Sequence, residues 1–333
     1  MSECNASALT DRFGRRIEYL RLSVINRCNL RCFYCRPAKD RVTPRIEHLA
    51  PDGFVRVARA FARLGVSRVR LTGGEPMLRR DLESIVEGVA TLPGIKDVSL
   101  STNGYLLDRR AHRLRDAGLR RVNLSLDSLD PARFHTITRV GRLERVMSGI
   151  DAALSAGLFP VKLNMVVLRG VNDDEIPAML EFAAASRLEL RFIETMPLGT
   201  PGREAMCRHV PAREILQRVR AHAGQDLVPV TSSAGAGPAR CYRLGASGGT
   251  VGVIAAVSRH FCAACNRVRL SASGDLLLCL GQEHRVSLRP LIDAGAGDVE
   301  MEEAIRVAIR RKPWSHEFLA GGGSAVNMSN VGG

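Results

Sequence analysis

Six of the nine cysteines form two groups of three with ligand-like spacing, a first triad of Cys28, Cys32 and Cys35 (C-x3-C-x2-C) and a second triad of Cys262, Cys265 and Cys279 (C-x2-C-x13-C). Short spacings of this kind supply thiolate ligands to iron–sulfur clusters. Three thiolates fill three corners of a cubane cluster and leave one iron free to bind another molecule. The two triads therefore predict two open clusters that face one cavity.

The alternative is that each triad binds zinc. Structural zinc usually takes four ligands, often from two C-x2-C pairs. The first triad has no fourth Cys or His at such a spacing. The second triad is preceded by His260, so a Cys3His zinc site stays open there on spacing alone. Three cysteines lie outside the triads and are interpreted as ordinary thiols: Cys4, Cys207 and Cys241.

The composition is typical of a soluble globular protein, with 333 residues, 45% hydrophobic residues and a mean hydropathy of −0.02. No stretch approaches the length of a membrane span, and the N-terminus lacks the apolar region of a secretory signal. Nine cysteines without an export signal favour a reducing compartment. We therefore expect a cytoplasmic protein with no membrane partner.

The net charge of +14 comes almost entirely from arginine, since only four of the 48 basic residues are lysine: Lys39, Lys96, Lys162 and Lys312. The basic residues are spread along the chain and form no arm or patch. We therefore expect no nucleic-acid partner. A net positive charge does suit a polyanionic ligand such as a nucleotide, because the guanidinium groups of arginine bind phosphate oxygens.

Strand-like runs alternate with helical patterns through the first 195 residues. The predicted strands are Leu20–Ile25, Val66–Thr72, Asp97–Thr102, Arg121–Asp127, Pro160–Leu168 and Leu188–Thr195. The predicted helices between them are Pro51–Leu64, Arg79–Leu92, Asp108–Ala117, Leu143–Ala156 and Asp173–Ala185. Repeated βα units indicate a parallel sheet. Six units fall short of the usual eight, which favours an incomplete barrel or an open sheet.

Five of these strands alternate between polar and apolar residues, as Arg21 and Ser23 do in the first and Lys162 and Asn164 do in the fifth. Residues two apart point to the same side of a strand. A polar face on five strands predicts a wet interior, because a filled core would not tolerate such groups unpaired. The alternative is that this face meets solvent on an uncovered sheet.

Residues 1–240 are therefore assigned to an incomplete (βα)6 TIM-type barrel in the α/β class. Residues 241–333 are assigned to a small C-terminal domain with the second triad and a Gly332–Gly333 tail. Helices are predicted over Pro211–Ala223 and Val299–Arg311, β-like runs over Thr250–Val257, Asn266–Ser271 and Leu276–Leu280, and a linker or exposed excursion over Gln225–Arg240. Disorder is the simplest interpretation of the tail.

The first triad follows the first strand, so it should lie at the C-terminal mouth of the barrel, where such folds place their chemistry. Its spacing, with Tyr34 before the last cysteine, resembles that of the radical S-adenosylmethionine (SAM) superfamily. The resemblance implies a 4Fe–4S cluster whose free iron binds SAM and whose reduction yields a 5′-deoxyadenosyl radical. It also implies four SAM contacts: Tyr34, Gly74, Ser125 and Met196. Gly74 would otherwise belong to an ordinary strand-to-helix turn, and Met196 to the core.

A finer resemblance, to the GTP 3′,8-cyclase family of molybdenum cofactor synthesis, covers nearly the whole chain. It rests on segments such as RLTGGEP, RFIETMP and FCAACNRVRL and on the terminal Gly pair, which in the family reaches into the active site. The resemblance implies a second 4Fe–4S cluster on the second triad, whose free iron meets the guanine of GTP. It implies GTP contacts at Arg21, Arg70, Ser101, Lys162, Arg267, Val268 and Arg269. Ser101 stands where the family commonly has Thr, and the hydroxyl is kept.

The implied reaction starts when the 5′-deoxyadenosyl radical takes a hydrogen from ribose C3′, after which the carbon radical attacks guanine C8 and the aminyl radical is reduced. Arg21, Arg267 and Arg269 are the candidate catalytic residues, although phosphate clamping fits them equally. The implied partners are GTP, SAM, a low-potential electron donor of the flavodoxin or ferredoxin type and, by pathway, a cyclic pyranopterin monophosphate synthase. The sequence leaves open whether the protein forms a homodimer. The alternatives are another two-cluster radical SAM enzyme, such as a peptide modifier, and a zinc-stabilised nucleic-acid-binding module.

Overall fold

The structure is a computed structural model that describes residues 8–37, 47–224, 226–231, 237–245, 249–318 and 328–332. Cys4, Lys39 and Gly333, and part of the predicted linker, lie outside these residues. Within the described part of the chain, no helix is both long and apolar enough to cross a membrane.

Six parallel strands form the centre of the fold: β1 (Tyr19–Ser23), β2 (Arg68–Thr72), β3 (Asp97–Thr102), β4 (Arg121–Ser125), β5 (Lys162–Val167) and β6 (Glu189–Glu194). The connecting helices are α1 (Pro51–Arg63), α2 (Leu82–Ala90), α3 (Ala111–Asp116), α4 (Pro131–Thr138), α5 (Leu143–Ser155) and α6 (Ile176–Ala185). The predicted incomplete barrel of six βα units is confirmed, and the predicted elements differ from the observed ones mainly at their ends.

Helix α4 is the one element of these six units that the sequence reading missed. Asp130 caps it by accepting a hydrogen bond from the main-chain N–H of Arg133, and Pro131 occupies its first position. Both are ordinary signals of a helix start. The helix is short and only weakly amphipathic, so its apolar period did not stand out.

Six further strands extend the sheet: β7 (Val228–Val230), β8 (Arg240–Leu244), β9 (Gly249–Ile254), β10 (Arg267–Leu270), β11 (Asp275–Leu277) and β12 (Arg285–Ser287). β10 pairs in parallel with β1, and β9 pairs in parallel with β6. β11 and β12 continue beyond β10, and β8 and β7 continue beyond β9, all antiparallel. Strands on both sides of residue 240 therefore share one sheet, and the domain boundary there stays a prediction.

The remaining helices are α7 (Gly199–Ala205), α8 (Ala212–Ala223), α9 (Arg289–Asp293), α10 (Asp298–Arg310) and α11 (Met328–Val331). The helices cover the apolar face of the sheet. In α1, for example, Phe54, Val57 and Phe61 are fully buried on one side of the helix, which gives it the apolar stripe of a core-facing helix. Leu20 and Leu22 of β1 belong to the same core. The opposite face of the sheet is left to polar residues.

Candidate active site

A row of polar side chains crosses the inner face of the sheet. Strand register aligns Arg21 with Arg269 on one side and with Arg70 on the other. Further along the row, Asn123 stands opposite Lys162. All five side chains are buried, so the alternative of an uncovered sheet facing solvent is wrong for them. The predicted polar interior is confirmed.

This row holds an excess of positive charge, with six buried cations and two carboxylates. The cations are Arg21, Arg70, Arg121, Lys162, Arg191 and Arg269, and the carboxylates are Asp97 and Glu189. Arg121 pairs with Asp97 at 2.8 Å. Arg21, Arg70 and Arg269 have no carboxylate within ion-pair distance among the described residues. Arg269 donates to main-chain carbonyls and Arg70 to Ser99 Oγ, which are neutral acceptors, so the positive charge of this group is not balanced by the described carboxylates.

Burial, and after it the neighbouring cations, lower the pKa values of these arginines. Burial, with Arg269 and Arg70 close by, holds the pKa of Arg21 well below its ordinary value. Burial, together with Arg267 and Arg70, lowers the pKa of Arg269 to about 10. Burial also lowers the pKa of Arg70. A bound polyanion would relieve all three shifts, because an opposite charge favours the charged form.

Lys162 already has an anionic partner within the protein. Its Nζ lies 2.5 Å from Oε2 of Glu189, which is also 3.8 Å from the guanidinium of Arg191. Burial and the nearby Arg191 lower the pKa of Lys162 to about 8, against the opposing effect of Glu189. The sequence resemblance implied GTP as the partner of Lys162. It missed Glu189, whose role becomes visible only through its register opposite Lys162.

Several buried polar atoms in the interior have no hydrogen-bond partner among the described residues: Tyr19 Oη, Arg21 Nε, Ser101 Oγ, Asn123 Oδ1, Asn164 Oδ1 and Arg267 Nε. Buried polar groups are normally satisfied, so these atoms have hydrogen-bonding capacity that the described side chains do not use. Val268 is different, because its side chain packs in the hydrophobic core. The substrate contact predicted for Val268 would therefore use its main chain.

The described part of the C-terminal tail lies in this interior. The carbonyl of Val331 accepts hydrogen bonds from Ser23 Oγ and, at 3.0 Å, from Arg269 Nη1. The carbonyl of Gly332 accepts from the same guanidinium nitrogen. Disorder is therefore the wrong interpretation for residues 328–332, which are held beside the arginines of β1 and β10.

The first triad occupies the loop after β1, at the C-terminal mouth of the barrel. Helix α4 supports this loop, because the N–H groups of Arg31 and Phe33 donate to the carbonyls of Thr138 and Ile137, both at 3.1 Å. All three cysteines are free thiols and half-buried. Burial, and next Glu75, raise the pKa of Cys28 to about 11.

Gly74 packs against this loop. Its N–H donates to the Ile25 carbonyl at 2.7 Å, and an added Cβ would lie 2.2 Å from the Arg27 carbonyl oxygen. Glycine is therefore required there by protein packing, besides any contact with a ligand. The next residue, Glu75, was missed by the sequence reading. It accepts from Thr102 Oγ1 at 2.6 Å and from the Asn103 N–H at 2.7 Å, and burial raises its pKa to about 7.

The other predicted SAM contacts differ in their surroundings. Tyr34 donates its hydroxyl to Asp127 Oδ2 at 2.6 Å, and burial raises the pKa of Asp127 to about 6. Ser125 lies two residues before Asp127, at the exposed end of β4. Met196 packs against a small apolar cluster with Leu198 and Phe318. Tyr34, in the loop of the first triad, thus contacts a residue two positions along the chain from Ser125, whereas Met196 has the core contacts of the alternative interpretation.

The second triad lies at the other end of the same strand pair. Cys265 comes two residues before β10, Cys279 comes two residues after β11, and β10 runs parallel to β1. The first triad follows the C-terminal end of β1, so the strands separate the two triads. Tyr19 and Ser23 are about 13 Å apart at about 3.3 Å per residue. Arg21 and Arg269 lie between the two ends, where a ligand could meet both triads.

Cations surround the second triad. Arg15 donates to the Cys262 carbonyl at 2.9 Å, and Lys312 donates to the Arg267 carbonyl at 3.1 Å. Burial raises the pKa of Cys265, but Lys312 and Arg267 overcome this and bring it to about 7. A cysteine with a lowered pKa supplies thiolate, which is the form that binds metal.

The donor chemistry of both triads fits cubane clusters. Among the described residues, no three His, Cys, Asp or Glu side chains converge on a point that could hold one metal ion. Thiolates are the usual protein ligands of a cubane cluster. His260, the proposed fourth zinc ligand, is exposed, and its ring contacts that of His316 at 5.4 Å.

Two family models match the chain. That of the radical SAM superfamily covers residues 22–183, and that of the Molybdenum Cofactor Synthesis C family covers residues 188–318. Members of the radical SAM superfamily use SAM and an iron–sulfur cluster, in agreement with the first triad. The solved structure of SuiB from Streptococcus suis bound to S-adenosylmethionine is similar, with a TM-score of 0.62 and 16% identity over 89% of this chain and 68% of that one. At this identity the likeness shows the fold alone.

Curated relatives are much more similar in sequence. The GTP 3′,8-cyclase of Hydrogenovibrio crunogenus is 47% identical over 93% of this chain and 95% of its own length. That of Pelotomaculum thermopropionicum is 46% identical over 98% and 100%, and that of Listeria monocytogenes 43% identical over 93% and 92%. Identity at this level over nearly complete chains shows that the protein belongs to the GTP 3′,8-cyclase family.

Proposed function

We propose that this chain is a radical SAM cyclase that converts GTP to 3′,8-cyclo-7,8-dihydroguanosine 5′-triphosphate, the first step of molybdopterin biosynthesis. The observation that carries the proposal is the buried group of cations between the two triads. Arg21, Arg70 and Arg269 lie on adjacent strands and have no carboxylate partner among the described residues. A triphosphate supplies the missing negative charge, and arginine forks match its oxygens.

The residues present fit two 4Fe–4S clusters, one on the first triad and one on the second. With SAM bound, the first cluster would supply the radical that starts the reaction, and that chemistry belongs to the cofactor. Tyr34, Gly74, Ser125 and Met196 are proposed to position SAM. Lys162 and Ser101 are proposed to bind GTP together with Arg70 and the Arg267–Arg269 segment.

The chain's own contribution is to orient the nucleotide and to keep water out. Orientation of reacting groups alone can supply several kcal/mol of a barrier. Arg21, Arg267 and Arg269 are the candidate catalytic residues. Arg269 also holds the tail through the Val331 and Gly332 carbonyls, so a change in the tail is expected to reach the substrate through this side chain. A low-potential electron donor, a cyclic pyranopterin monophosphate synthase acting on the product, and a homodimer remain part of the proposal.

The test is anaerobic reconstitution, iron and sulfide counting, and mass analysis of the nucleotide after incubation with SAM, GTP and a reductant. We expect two four-iron clusters per chain and a cyclised nucleotide. Cys265→Ala should lose one cluster and the product while keeping uncoupled SAM cleavage. Cys32→Ala should lose SAM cleavage altogether. Cys207→Ala is the matched control, because Cys207 is an exposed cysteine outside both triads.

Two results would reject the proposal. One is full GTP turnover by Cys265→Ala, which would show that the second triad is not needed. The other is a colourless protein that holds only zinc, which would return the chain to the zinc-stabilised alternative.

A further inference from the structure

Lys312 is a lysine buried beside the second triad. It follows α10, and its side chain is only 2% exposed. Its ammonium donates to the carbonyl of Leu278 at 2.5 Å and to that of Arg267 at 3.1 Å. Both acceptors are neutral main-chain groups.

These two carbonyls belong to the segments that carry the ligands. Arg267 comes two residues after Cys265, and Leu278 directly precedes Cys279. One ammonium therefore links the start of β10 to the end of β11. It fixes the distance between the segments that hold two of the three thiols.

Arg15 links the third thiol to the same part of the chain. Its guanidinium donates to the Cys262 carbonyl at 2.9 Å, to the Trp314 carbonyl at 2.8 Å and to the Pro313 carbonyl at 2.6 Å. Residues 312–314 are thus tied to every cysteine-bearing segment of the second triad. Arg15 differs from Lys312 in having an anionic partner, because it is paired with Asp11 at 2.6 Å.

No carboxylate lies within ion-pair distance of Lys312 in the part of the chain that the structure describes. A buried charge without a counter-ion is strongly unfavourable, and two carbonyl acceptors compensate it only in part. The charge of Lys312 acts on all three thiols of the triad. Within the described residues, thiolates that carry an iron–sulfur cluster would supply the negative charge that this ammonium lacks.

We propose that Lys312 is a positioning residue for the second cluster, whose ammonium balances the negative charge of the cluster and sets the spacing of Cys265 and Cys279. The inference rests on the proposed function, because it requires a cluster on the second triad. Charge and hydrogen bonds around the sulfurs are among the factors that set the reduction potential of a cluster. Lys312 thus stabilises the reduced form of the second cluster.

The first experiment compares the reconstituted wild type with Lys312→Met and Lys312→Arg. Methionine keeps much of the side-chain length without the charge, and arginine keeps the charge. The midpoint potential of the second cluster is measured by EPR-monitored titration, and iron release to a chelator is followed in parallel. The signal of the second cluster is identified by its absence in Cys265→Ala.

In Lys312→Met we expect a more negative midpoint potential and iron release from the second cluster faster by about tenfold or more, the usual effect of losing a residue that supports metal ligands. Lys312→Arg should stay close to the wild type in both. A Lys312→Met enzyme with wild-type potential and wild-type iron release overturns the proposal. A wild type that binds only one cluster overturns both this proposal and the two-cluster function, so the two failures are distinguishable.

A second experiment separates this role from simple support of the two carbonyls. Lys312→Met is combined with Cys265→Ala in a double-mutant cycle on thermal stability. With the second cluster lost, the ammonium has no anion, so removing it should lower the melting temperature less than it does in the cluster-bearing protein, or not at all. An equal fall in both backgrounds overturns the proposal. If Lys312→Met alone does not fold, a folded double variant supports the proposal and an unfolded one overturns it.

Discussion

Lys162 and Glu189 face each other across β5 and β6, with Nζ of the lysine 2.5 Å from Oε2 of the glutamate. The lysine is fully buried, and the glutamate side chain is 24% exposed. Arg121 and Arg191 are the other charged groups that act on the ammonium, and both disfavour its charged form. Among the described residues, Glu189 is therefore the carboxylate that favours the charged form of Lys162, and the proposed contact with a phosphate group depends on that charge.

The first prediction concerns pH. The pKa of Lys162 is lowered from 10.5 to about 8, so the affinity for GTP should fall as the pH rises through 8. The stability of the substrate-free protein should change in the opposite direction. Between pH 8 and 10.5 the unfolded chain binds more protons than the native one, so this group makes stability rise with pH. Equilibrium dialysis of GTP and denaturant unfolding over that range would measure both.

Lys162→Arg is the control for this prediction, because arginine keeps its charge at high pH. Its GTP affinity should vary much less with pH over the same range. A wild-type affinity that is constant up to pH 9.5 would contradict the assigned role of Lys162.

The second prediction is that Glu189→Gln shifts this profile to lower pH. Without the carboxylate, Arg191 and Arg121 act on Lys162 unopposed, so it loses its proton earlier. At low pH, where Lys162 stays charged, GTP should bind as tightly as in the wild type or more tightly, since one negative charge has left the site. Stability should fall by about 3 kcal/mol, the lower end for breaking a buried pair, because Glu189 is partly exposed.

Asp97→Asn is the matched control for Glu189→Gln. Asp97 also pairs with a cation of the polar row, but with Arg121 and not with Lys162. The control should lose stability without a shift in the pH profile of GTP binding. Equal shifts in the two variants would show a general effect of lost negative charge.

The barrel could be predicted from sequence because its signals are local. Each βα unit combines an alternating or apolar strand with a helix of regular period, and glycines such as Gly65 and Gly118 end helices in the left-handed region. The pairing of β10 with β1 has no local signal. It joins residues about 250 positions apart and adds β10 to the edge of β1, so no pattern within either strand could indicate it.

The same distinction applies to the site. The cysteine triads, Tyr34 and the Gly73–Gly74 turn were found because their spacing carries their chemistry. Glu189 and Lys312 were missed as site residues because an isolated acidic or basic residue has no spacing to recognise, and Glu75 was quoted only as part of the GGEP segment. Their roles come from what lies opposite them in the fold.

The third prediction is that Gly332→Ala releases the tail from the interior. Gly332 has φ +71, and an added Cβ would lie 2.2 Å from Thr72 Oγ1 and 2.7 Å from the main-chain nitrogen of Gly73. The tail cannot keep its hydrogen bonds to Arg269 with such overlaps. Hydrogen exchange of residues 328–332 should rise sharply, and GTP turnover should fall, because the guanidinium of Arg269 loses its two carbonyl partners.

Gly295→Ala separates steric overlap from backbone strain in this test. Gly295 has φ +70, and an added Cβ there meets nothing within 4 Å. Both variants carry strain of about 1 kcal/mol or more, but only Gly332→Ala should change the tail. Unchanged exchange in Gly332→Ala would mean that the tail does not occupy the described position.

The last prediction concerns Glu194, a fully buried carboxylate at the end of β6. Its Oε2 accepts hydrogen bonds from the N–H groups of Val257 at 2.8 Å and Ser258 at 2.9 Å, and its Oε1 accepts from the N–H of Ala212 at 2.6 Å and from the Ser258 hydroxyl. Ser258 lies four residues before Cys262, so this carboxylate fixes the approach to the second triad. Glutamine offers one acceptor oxygen and turns an NH2 group toward donors. Each lost hydrogen bond to a charged group is worth about 1.5–3 kcal/mol.

Glu194→Gln should therefore lower the melting temperature by several degrees and reduce the iron held by the second triad, while the first cluster stays intact. Iron counting and EPR of the reconstituted variant would measure this selectivity. Glu204→Gln is the control for loss of one negative charge, because Glu204 is exposed. Equal loss of iron from both triads would indicate general unfolding, whereas the expected selective loss would show that β6 holds the segment that presents the second triad to the interior.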